Sequence, residues 1–213
     1  MHLSITEVIG ILDRAGLVAF ALSGVEVGYR RRLDVFGLLV MGIVTATGGG
    51  LMRDVTLGRL PLVLDKPDYL LWAVAGALLG IGLVWRQHRV PVLLANVAEA
   101  GGLGAFATAG ALAAIRADLA LPAVILLAML TATGGGVIRD LLADRVPLVL
   151  RSEVNASAAA LGGFCLWLAE PVSVGGAALL SVSVTALLKV AGQAFNLHLP
   201  VPGRGSGEQG RLL

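Results

Sequence analysis

The sequence predicts an all-α, polytopic membrane protein, and three observations favour this fold class. Of its 213 residues, 57% are hydrophobic and only 14% are charged, whereas roughly a quarter of the residues in an average soluble domain are charged. The charges are sparse and separate long apolar runs. In addition, a glycine-rich stretch occurs twice. We therefore expect a chain that crosses the bilayer several times as helices.

The repeated stretch reads TATGGG, two apolar residues and then Arg-Asp, and it occupies 45–54 and 131–140. Continued to Leu64 and Leu150, the two copies agree at 13 of 20 positions without a gap, at a constant offset of 86. The same offset pairs Gly16 with Gly102, Ala19-Phe20-Ala21 with Ala105-Phe106-Ala107, Gly24 with Gly110, and Gly76 with Gly162. Two homologous units therefore make up most of the chain.

Because roughly 20 residues cross a hydrocarbon core of about 30 Å, we predict seven transmembrane helices. They lie near 5–29, 34–64, 69–86, 91–115, 119–150, 154–170 and 173–197. The second and fifth are too long for one straight span, since about 31 helical residues would reach roughly 47 Å. We expect each either to bend or to end early, with the helix weakest at the glycine triplets and its second half stopping at Pro61 or Pro147.

The repeat predicts four parts of the chain. They are a first three-helix unit at 1–88, an inverted second unit at 89–172, a seventh helix at 173–199 and a disordered cytoplasmic tail at 200–213. Three spans are an odd number, so the second unit starts from the opposite side of the membrane. A pseudo-two-fold axis in the membrane plane should therefore relate the two units.

The distribution of basic residues predicts the orientation, because cytoplasmic loops carry an excess of arginine and lysine. With the N-terminus outside, ten arginines fall on the inner side, namely Arg30, Arg31, Arg32, Arg86, Arg89, Arg139, Arg145, Arg151, Arg204 and Arg211. Four basic residues then fall outside, namely Arg53, Arg59, Lys66 and Arg116. We therefore predict an outer N-terminus and a cytoplasmic C-terminus in a bacterial or archaeal plasma membrane.

The two glycine triplets admit two interpretations. They consist of Gly48, Gly49 and Gly50 in the first copy and Gly134, Gly135 and Gly136 in the second. If they unwind the helix, the freed backbone groups must lie beside protein or a water-filled cavity, as in the ion and substrate sites of repeat-built membrane proteins. If they remain helical, the small residues let two helices approach closely. A phosphate-binding loop is excluded, because neither copy has the required Lys-Ser/Thr.

Polar residues in and around the two copies are candidates for an ion pathway. Thr45, Thr47, Thr131 and Thr133 place hydroxyls just before the triplets, where they can coordinate a dehydrated cation or bond their own helix backbone. Arg53 and Arg139 follow, each beside a neutralising aspartate, Asp54 or Asp140. They fit a pore mouth or interfacial snorkelling equally well.

Asp13 and Glu99 occupy matching positions in the first and fourth helices, and such carboxylates usually face water or a partner. Glu26 and Lys189 lack a repeat-matched equivalent, and we expect Lys189 to snorkel toward the inner face. Cys165 is expected to be a packing residue. The sequence indicates no catalytic set, so an enzyme is not expected. It also indicates no metal site, no cofactor beyond permeant potassium or sodium ions, and no nucleic-acid partner.

Seven spans, a three-plus-three inverted repeat and the doubled TATGGGxxRD stretch resemble the prokaryotic branch of the trimeric intracellular cation channel family. The resemblance covers about 5–197. It implies a homotrimer in membrane lipid, with a pore through each protomer that conducts monovalent cations, chiefly potassium. That pore is lined by the first, second, fourth and fifth helices and bends at the glycine triplets, with Arg53 and Arg139 beyond the bends.

The resemblance leaves more than one function open. In a channel, threonine hydroxyls and glycine carbonyls would replace ion hydration, while the four carboxylates would favour cations. Related bacterial sequences are also labelled candidate glycine transporters. The alternative is therefore a secondary transporter of a small zwitterion such as glycine, with half-helix N-termini binding its carboxylate. A non-conducting, lipid-binding assembly is a third reading.

Overall fold

The computed structural model describes residues 4–87, 92–150 and 154–195, and within these ranges the chain forms helices joined by short connections. In chain order they are α1 (Ile5–Arg30), α2 (Val35–Thr56), α3 (Leu62–Asp65), α4 (Pro67–Gln87), α5 (Val92–Arg116), α6 (Leu121–Leu142), a 3₁₀ turn (Leu148–Leu150), α7 (Val154–Ala169) and α8 (Val174–Ala194). The tail at 200–213, predicted to be disordered, lies outside the described residues.

Six of the helices are long and apolar enough to cross a membrane, namely α1, α2, α4, α5, α6 and α8. The protein is therefore an all-α, polytopic integral membrane protein, as the composition predicts. The remaining long helix, α7, is apolar but has 16 residues, fewer than the roughly 20 of a typical span. Polar caps begin several helices, since Ser4, Asp34 and Ser173 each accept a hydrogen bond from a first-turn amide.

The predicted breaks at the glycine triplets are wrong. Helix α2 continues through 48–50 and α6 continues through 134–136. Each glycine costs about 1 kcal/mol of helix propensity relative to alanine, but close packing between the two helices compensates for it. The chain leaves the helix later, after Thr56 and after Leu142.

Pro61 also has a different role from the predicted one, because it begins an element. It immediately precedes the short helix α3, with φ of −56°, a value suited to the start of a helix. The apolar stretch after Arg59 is therefore a separate short turn of helix. The 3₁₀ turn at Leu148–Leu150 follows Pro147 in the same way.

The 86-residue offset is present in the structure. Helices α2 and α6 begin and end at matching positions, 35 and 121, 56 and 142. Helix α1 packs against α2 and α4, as α5 packs against α6 and α7. The last helix, α8, packs mainly on α5 and α7 and therefore lies chiefly against the second half.

The two halves meet through reciprocal contacts. The rings of Phe20 and Phe106, which are equivalent by the offset, stack with centroids 5.0 Å apart. A Cβ built on Gly16 would overlap the Phe106 ring, and one on Gly102 would lie 3.0 Å from Phe20 Cδ2. Residue 16 of α1 meets residue 106 of α5, and residue 20 meets residue 102, so the two helices are antiparallel. Helices α2 and α6 are antiparallel in the same way, since Gly49 meets Thr131 and Gly135 meets Thr45.

Candidate functional site

The first two glycines of each triplet form a close crossing of α2 and α6. A Cβ on Gly48 would lie 3.2 Å from Gly135 Cα, and a Cβ on Gly134 would lie 3.3 Å from Gly49 Cα. A Cβ on Gly49 or Gly135 would overlap a backbone carbonyl oxygen of the opposite helix, that of Thr131 or Thr45 respectively. The crossing therefore requires glycine at these positions, and the close-approach interpretation is confirmed.

The third glycine of each triplet has a different environment. The atom nearest to a Cβ on Gly50 is Arg53 Nη2 at 3.8 Å, and on Gly136 it is Arg139 Nη2 at 3.7 Å. These are ordinary van der Waals distances to flexible side chains. Gly50 and Gly136 therefore border the charged groups that follow, without taking part in the tight crossing.

The four threonine hydroxyls donate to their own helices, each to the carbonyl four residues earlier. The oxygen–oxygen distances are 2.6 Å for Thr45 and Thr131 and 2.8 Å for Thr47 and Thr133. Thr45 and Thr131 are fully buried at the crossing, while Thr47 and Thr133 are only partly buried. Because each proton is used on the backbone, the hydroxyl oxygen lone pairs remain available as acceptors.

A buried cluster of alternating charges, which we call the first cluster, consists of Asp13, Arg53, Asp54 and Arg59. Arg53 donates to both carboxylate oxygens of Asp13 at 2.7 and 3.1 Å and, through Nε, to Asp54 at 2.9 Å. Asp54 also accepts from Arg59 at 2.8 Å and from the Leu62 amide at 2.9 Å. The Arg53 side chain is 1% exposed, so its charge is neutralised inside the protein.

The second cluster contains the repeat-matched residues Glu99, Arg139, Asp140 and Arg145, with Lys189 added from α8. Arg139 Nε donates to Asp140 at 3.0 Å, and Arg145 donates to the same carboxylate at 2.6 Å. Arg139 Nη1 lies 3.6 Å from Glu99 Oε1. Lys189 Nζ lies 3.2 Å from Glu99 Oε2. The Leu148 amide donates to Asp140 at 2.9 Å, as Leu62 does to Asp54.

Several expectations for these charges need correction. Arg53 and Arg139 do not snorkel to an interface, because both are buried among carboxylates. Lys189 does not snorkel either, since it is 3% exposed and paired with Glu99. The pairing of each arginine with the following aspartate is confirmed. Asp13 pairs with Arg53 across α1 and α2, while its sequence neighbour Arg14 pairs with Asp68 at 2.6 Å.

Sequence reasoning used Arg59 and Arg145 only as loop residues in the orientation count, but they complete the two clusters. The offset pairs them within the repeated stretch, so the signal was present. Lys189 had no such signal, because α8 lies outside the repeat. Its partnership with Glu99 depends on how α8 packs on α5.

Two small cavities flank the glycine crossing, one in each half. The first has a volume of about 20 Å³ and a mainly apolar lining that also includes Asp13, Thr47, Asp54 and Tyr69. The second has a volume of about 40 Å³. All lining residues of the first cavity have their 86-offset counterpart in the lining of the second, which also includes Arg139 and Lys189. Either volume is enough for at least one water molecule, which needs roughly 10–15 Å³.

Each cavity is followed by a wider recess. A recess of about 680 Å³ adjoins the first cavity and is lined by Arg14, Arg59, Leu62 and Tyr69 among others. A recess of about 340 Å³ adjoins the second and includes Glu99 and Arg145. Because α2 and α6 are antiparallel, the two recesses open at opposite ends of the crossing. Each side of the glycine crossing therefore has a recess and a small cavity, with the charged residues of one cluster in their linings.

Comparisons with known proteins agree with this architecture. A family model described as "Glycine transporter" matches the chain twice, at residues 10–85 and 96–171. The chain is 36% identical to the UPF0126 inner membrane protein YadS of Escherichia coli K12, over 94% of this chain and 98% of YadS.

Two solved structures have the same fold. One, from work on conductance through TRIC cation channels, has a TM-score of 0.82 and 34% identity, over 92% of this chain and 98% of that chain. The other is a TRIC trimeric intracellular cation channel orthologue from Rhodobacter sphaeroides, with a TM-score of 0.80 and 30% identity over 89% and 99%. The chain therefore belongs to the membrane-protein family of the TRIC channels, which also carries the description glycine transporter.

Proposed function

We propose that this protein is a potassium-permeable, monovalent cation channel with one pathway through each protomer of a homotrimer. The observation that carries the proposal is a repeated arrangement: a recess, a charge cluster and a small cavity lie on each side of the glycine crossing, and most of their residues match at the 86-residue offset. Likeness to solved TRIC cation channels over nine-tenths of the chain supports the same function and the trimer.

The chemistry of the proposed pathway suits cations that have lost part of their hydration shell. Carboxylate oxygens lie at each end, those of Asp13 and Asp54 in one cavity lining and those of Glu99 and Asp140 in the other. Thr47 and Thr133 present hydroxyl oxygens whose protons already bond the helix. Oxygen ligands of this kind replace water around a monovalent cation.

In the conformation described, the crossing is closed. Since Gly49 and Gly135 pack against carbonyl oxygens of the opposite helix, no space remains between α2 and α6 for an ion. Conduction therefore requires these helices to shift relative to one another at the crossing. The buried ion pairs at both ends then decide which ions reach it.

The proposed architecture is a pair of inverted repeats, 1–88 and 89–172, followed by a seventh transmembrane helix at 173–199. Three observations support it: the common offset of α2 and α6, the two matches to one family model and the antiparallel contacts of equivalent helices. If α1 crosses the membrane in one direction, its counterpart α5 crosses in the other. Inversion follows from that relation.

We further propose an outer N-terminus and a cytoplasmic C-terminus in a prokaryotic plasma membrane. Arg53 and Arg139 are buried, so they no longer count as loop residues. Removing one from each side leaves nine basic residues on the inner side and three on the outer side.

A labelling experiment tests this topology, because Lys66 and Arg31 are exposed near opposite ends of α1. In a Cys165→Ala background, we expect an impermeant thiol reagent to label Lys66→Cys from outside and Arg31→Cys only after access to the cytoplasm. Labelling of both from one side would contradict this topology.

The channel proposal is tested by recording from purified protein, with a mass of three protomers in mild detergent, in planar bilayers with asymmetric potassium chloride. We expect unitary currents that reverse toward the potassium equilibrium potential. The family description as glycine transporter makes a carrier the alternative. A carrier would give saturable glycine exchange in liposomes and no unitary currents, and that result would replace the channel proposal.

A further inference from the structure

Lys189 breaks the equivalence of the two ends of the proposed pathway. It projects from α8, which belongs to neither repeat, and its side chain is 3% exposed. Its ammonium nitrogen lies 3.2 Å from Glu99 Oε2 and donates to Asn155 Oδ1 at 3.2 Å. The counterpart of Asn155 in the first half is Tyr69, and the first cavity has no basic residue in its lining. The second cavity therefore contains a fixed cation that the first lacks.

The matched arginines are also held differently in the two clusters. In the first cluster, Arg53 binds both oxygens of Asp13 at 2.7 and 3.1 Å. In the second, Arg139 lies 3.6 Å from Glu99 and instead donates to Ser23 Oγ at 2.6 Å. Lys189 lies against one Glu99 oxygen, while Ser23 donates to the other at 3.2 Å. Glu99 is thus bound by Lys189 and Ser23, with Arg139 as a more distant ion-pair partner, while Asp13 is bound directly by one arginine.

The two clusters also differ in net charge. The first has two arginines and two carboxylates, so its formal charges cancel. The second has two arginines and Lys189 against two carboxylates, Glu99 and Asp140, which leaves one positive charge. Glu26 in the adjacent recess pairs with Arg30 at 2.8 Å, so it brings its own counter-charge. In a low-dielectric protein interior, one uncompensated charge strongly affects the entry of another ion.

We propose that Lys189 limits cation passage at one end of the pathway and makes conduction asymmetric. This inference rests on the proposed channel function. The tethered ammonium occupies the position beside Glu99 that an entering cation would take, and repels that cation. Cations that enter from the end with Lys189 therefore meet the higher barrier. Lys189 is thus a determinant of rate and direction that the repeat itself does not encode.

The test compares Lys189→Met with Lys189→Arg by single-channel recording in symmetric potassium chloride. The readout is the ratio of the larger to the smaller unitary current at equal and opposite voltages, which does not depend on how the protein inserts. We expect Lys189→Met to raise the smaller current by about twofold or more, since a unit charge is removed from a low-dielectric site, and to bring the ratio closer to one. Lys189→Arg keeps the charge and should keep the asymmetry.

Glu99→Gln provides a test of opposite sign. It removes the carboxylate and leaves three cations against Asp140, so the smaller current should fall. A purely structural role for Lys189 would predict losses in both Lys189→Met and Glu99→Gln. Arg86→Met, which removes an exposed charge at the end of α4, should leave the currents unchanged. The thermal stability of each variant is measured in the same preparation.

The outcomes separate the two levels of the proposal. The inference alone would be overturned if Lys189→Met showed wild-type currents with an unaltered ratio of the larger to the smaller current. It would also be overturned if Lys189→Arg changed that ratio as much as Lys189→Met does. A wild-type protein that passes no cation current would overturn the channel proposal and this inference with it. If Lys189→Met does not fold, the inference is still overturned by either of the other variants: by Lys189→Arg if it loses the asymmetry, or by Glu99→Gln if it does not lower the smaller current.

Discussion

Replacing Arg53 by methionine is expected to destabilise the folded protein by about 3–5 kcal/mol, the range for breaking a buried ion pair by removing one partner. Arg53 is 1% exposed and gives Asp13 two hydrogen bonds, at 2.7 and 3.1 Å. Arg53→Met would leave the Asp13 carboxylate buried without a counter-charge. We would measure the free energy of unfolding by titrating denaturing detergent into mixed micelles.

Two further variants make this expectation specific. Arg59→Met removes an arginine that is 35% exposed, and Asp54 keeps Arg53 and the Leu62 amide, so the cost should be about 1 kcal/mol or less. The double variant Asp13→Leu with Arg53→Met removes both buried charges and should recover most of the lost stability. An Arg53→Met protein as stable as the wild type would contradict the description of Arg53 and Asp13 as a buried ion pair on which the fold depends.

The helices could largely be predicted from the sequence because membrane spans follow from length and hydropathy alone. The predicted first helix, 5–29, agrees with Ile5–Arg30. The second was predicted as 34–64 but ends at Thr56. The stretch that follows contains Leu60, Leu62, Val63 and Leu64, so its apolar composition does not mark the end of the helix. The end of α2 depends on the turn around Gly58, whose φ is +66°.

The charge clusters could be predicted only in part. The pairing of Arg53 with Asp54 follows from adjacency, and the repeat drew attention to Asp13 and Glu99 as matched carboxylates. The bond from Arg53 to Asp13 joins residues 40 positions apart and depends on how α1 and α2 pack. Lys189 is further removed, since its role depends on the docking of a helix that has no counterpart in the repeat.

The glycine triplets illustrate a similar limit. The sequence presents three equal glycines, whereas the structure separates them by helical phase. Successive residues on a helix are turned by about 100°, so Gly48 and Gly49 face the opposite helix while Gly50 faces Arg53. The interpretation as a helix break is wrong because the sequence does not show that the two triplets pack against each other, and this packing stabilises both helices.

The middle glycine of each triplet, Gly49 or Gly135, should therefore tolerate substitution by alanine far less than the third glycine does. We expect Gly49→Ala and Gly135→Ala each to cost about 1–3 kcal/mol, the usual range for overpacking a tight interior. Each new methyl group would overlap a backbone carbonyl oxygen of the other helix, and a backbone atom cannot rotate away as a side chain can. Because the two contacts are reciprocal, the two variants should lose stability, and change potassium flux, to similar degrees.

The matched controls lie one residue further along each helix. Gly50→Ala and Gly136→Ala place a methyl group 3.8 and 3.7 Å from an arginine Nη2, and Gly82→Ala in α4 meets no atom within 4 Å. These three should be neutral or more stable by up to about 1 kcal/mol, since alanine favours helix over glycine. Thermal stability and potassium flux would be measured on the same purified proteins. Equal tolerance of alanine at Gly49 and Gly50, and at Gly135 and Gly136, would show that the crossing of α2 and α6 is not the tight contact described above. The proposal that the pathway closes there would then lose its support.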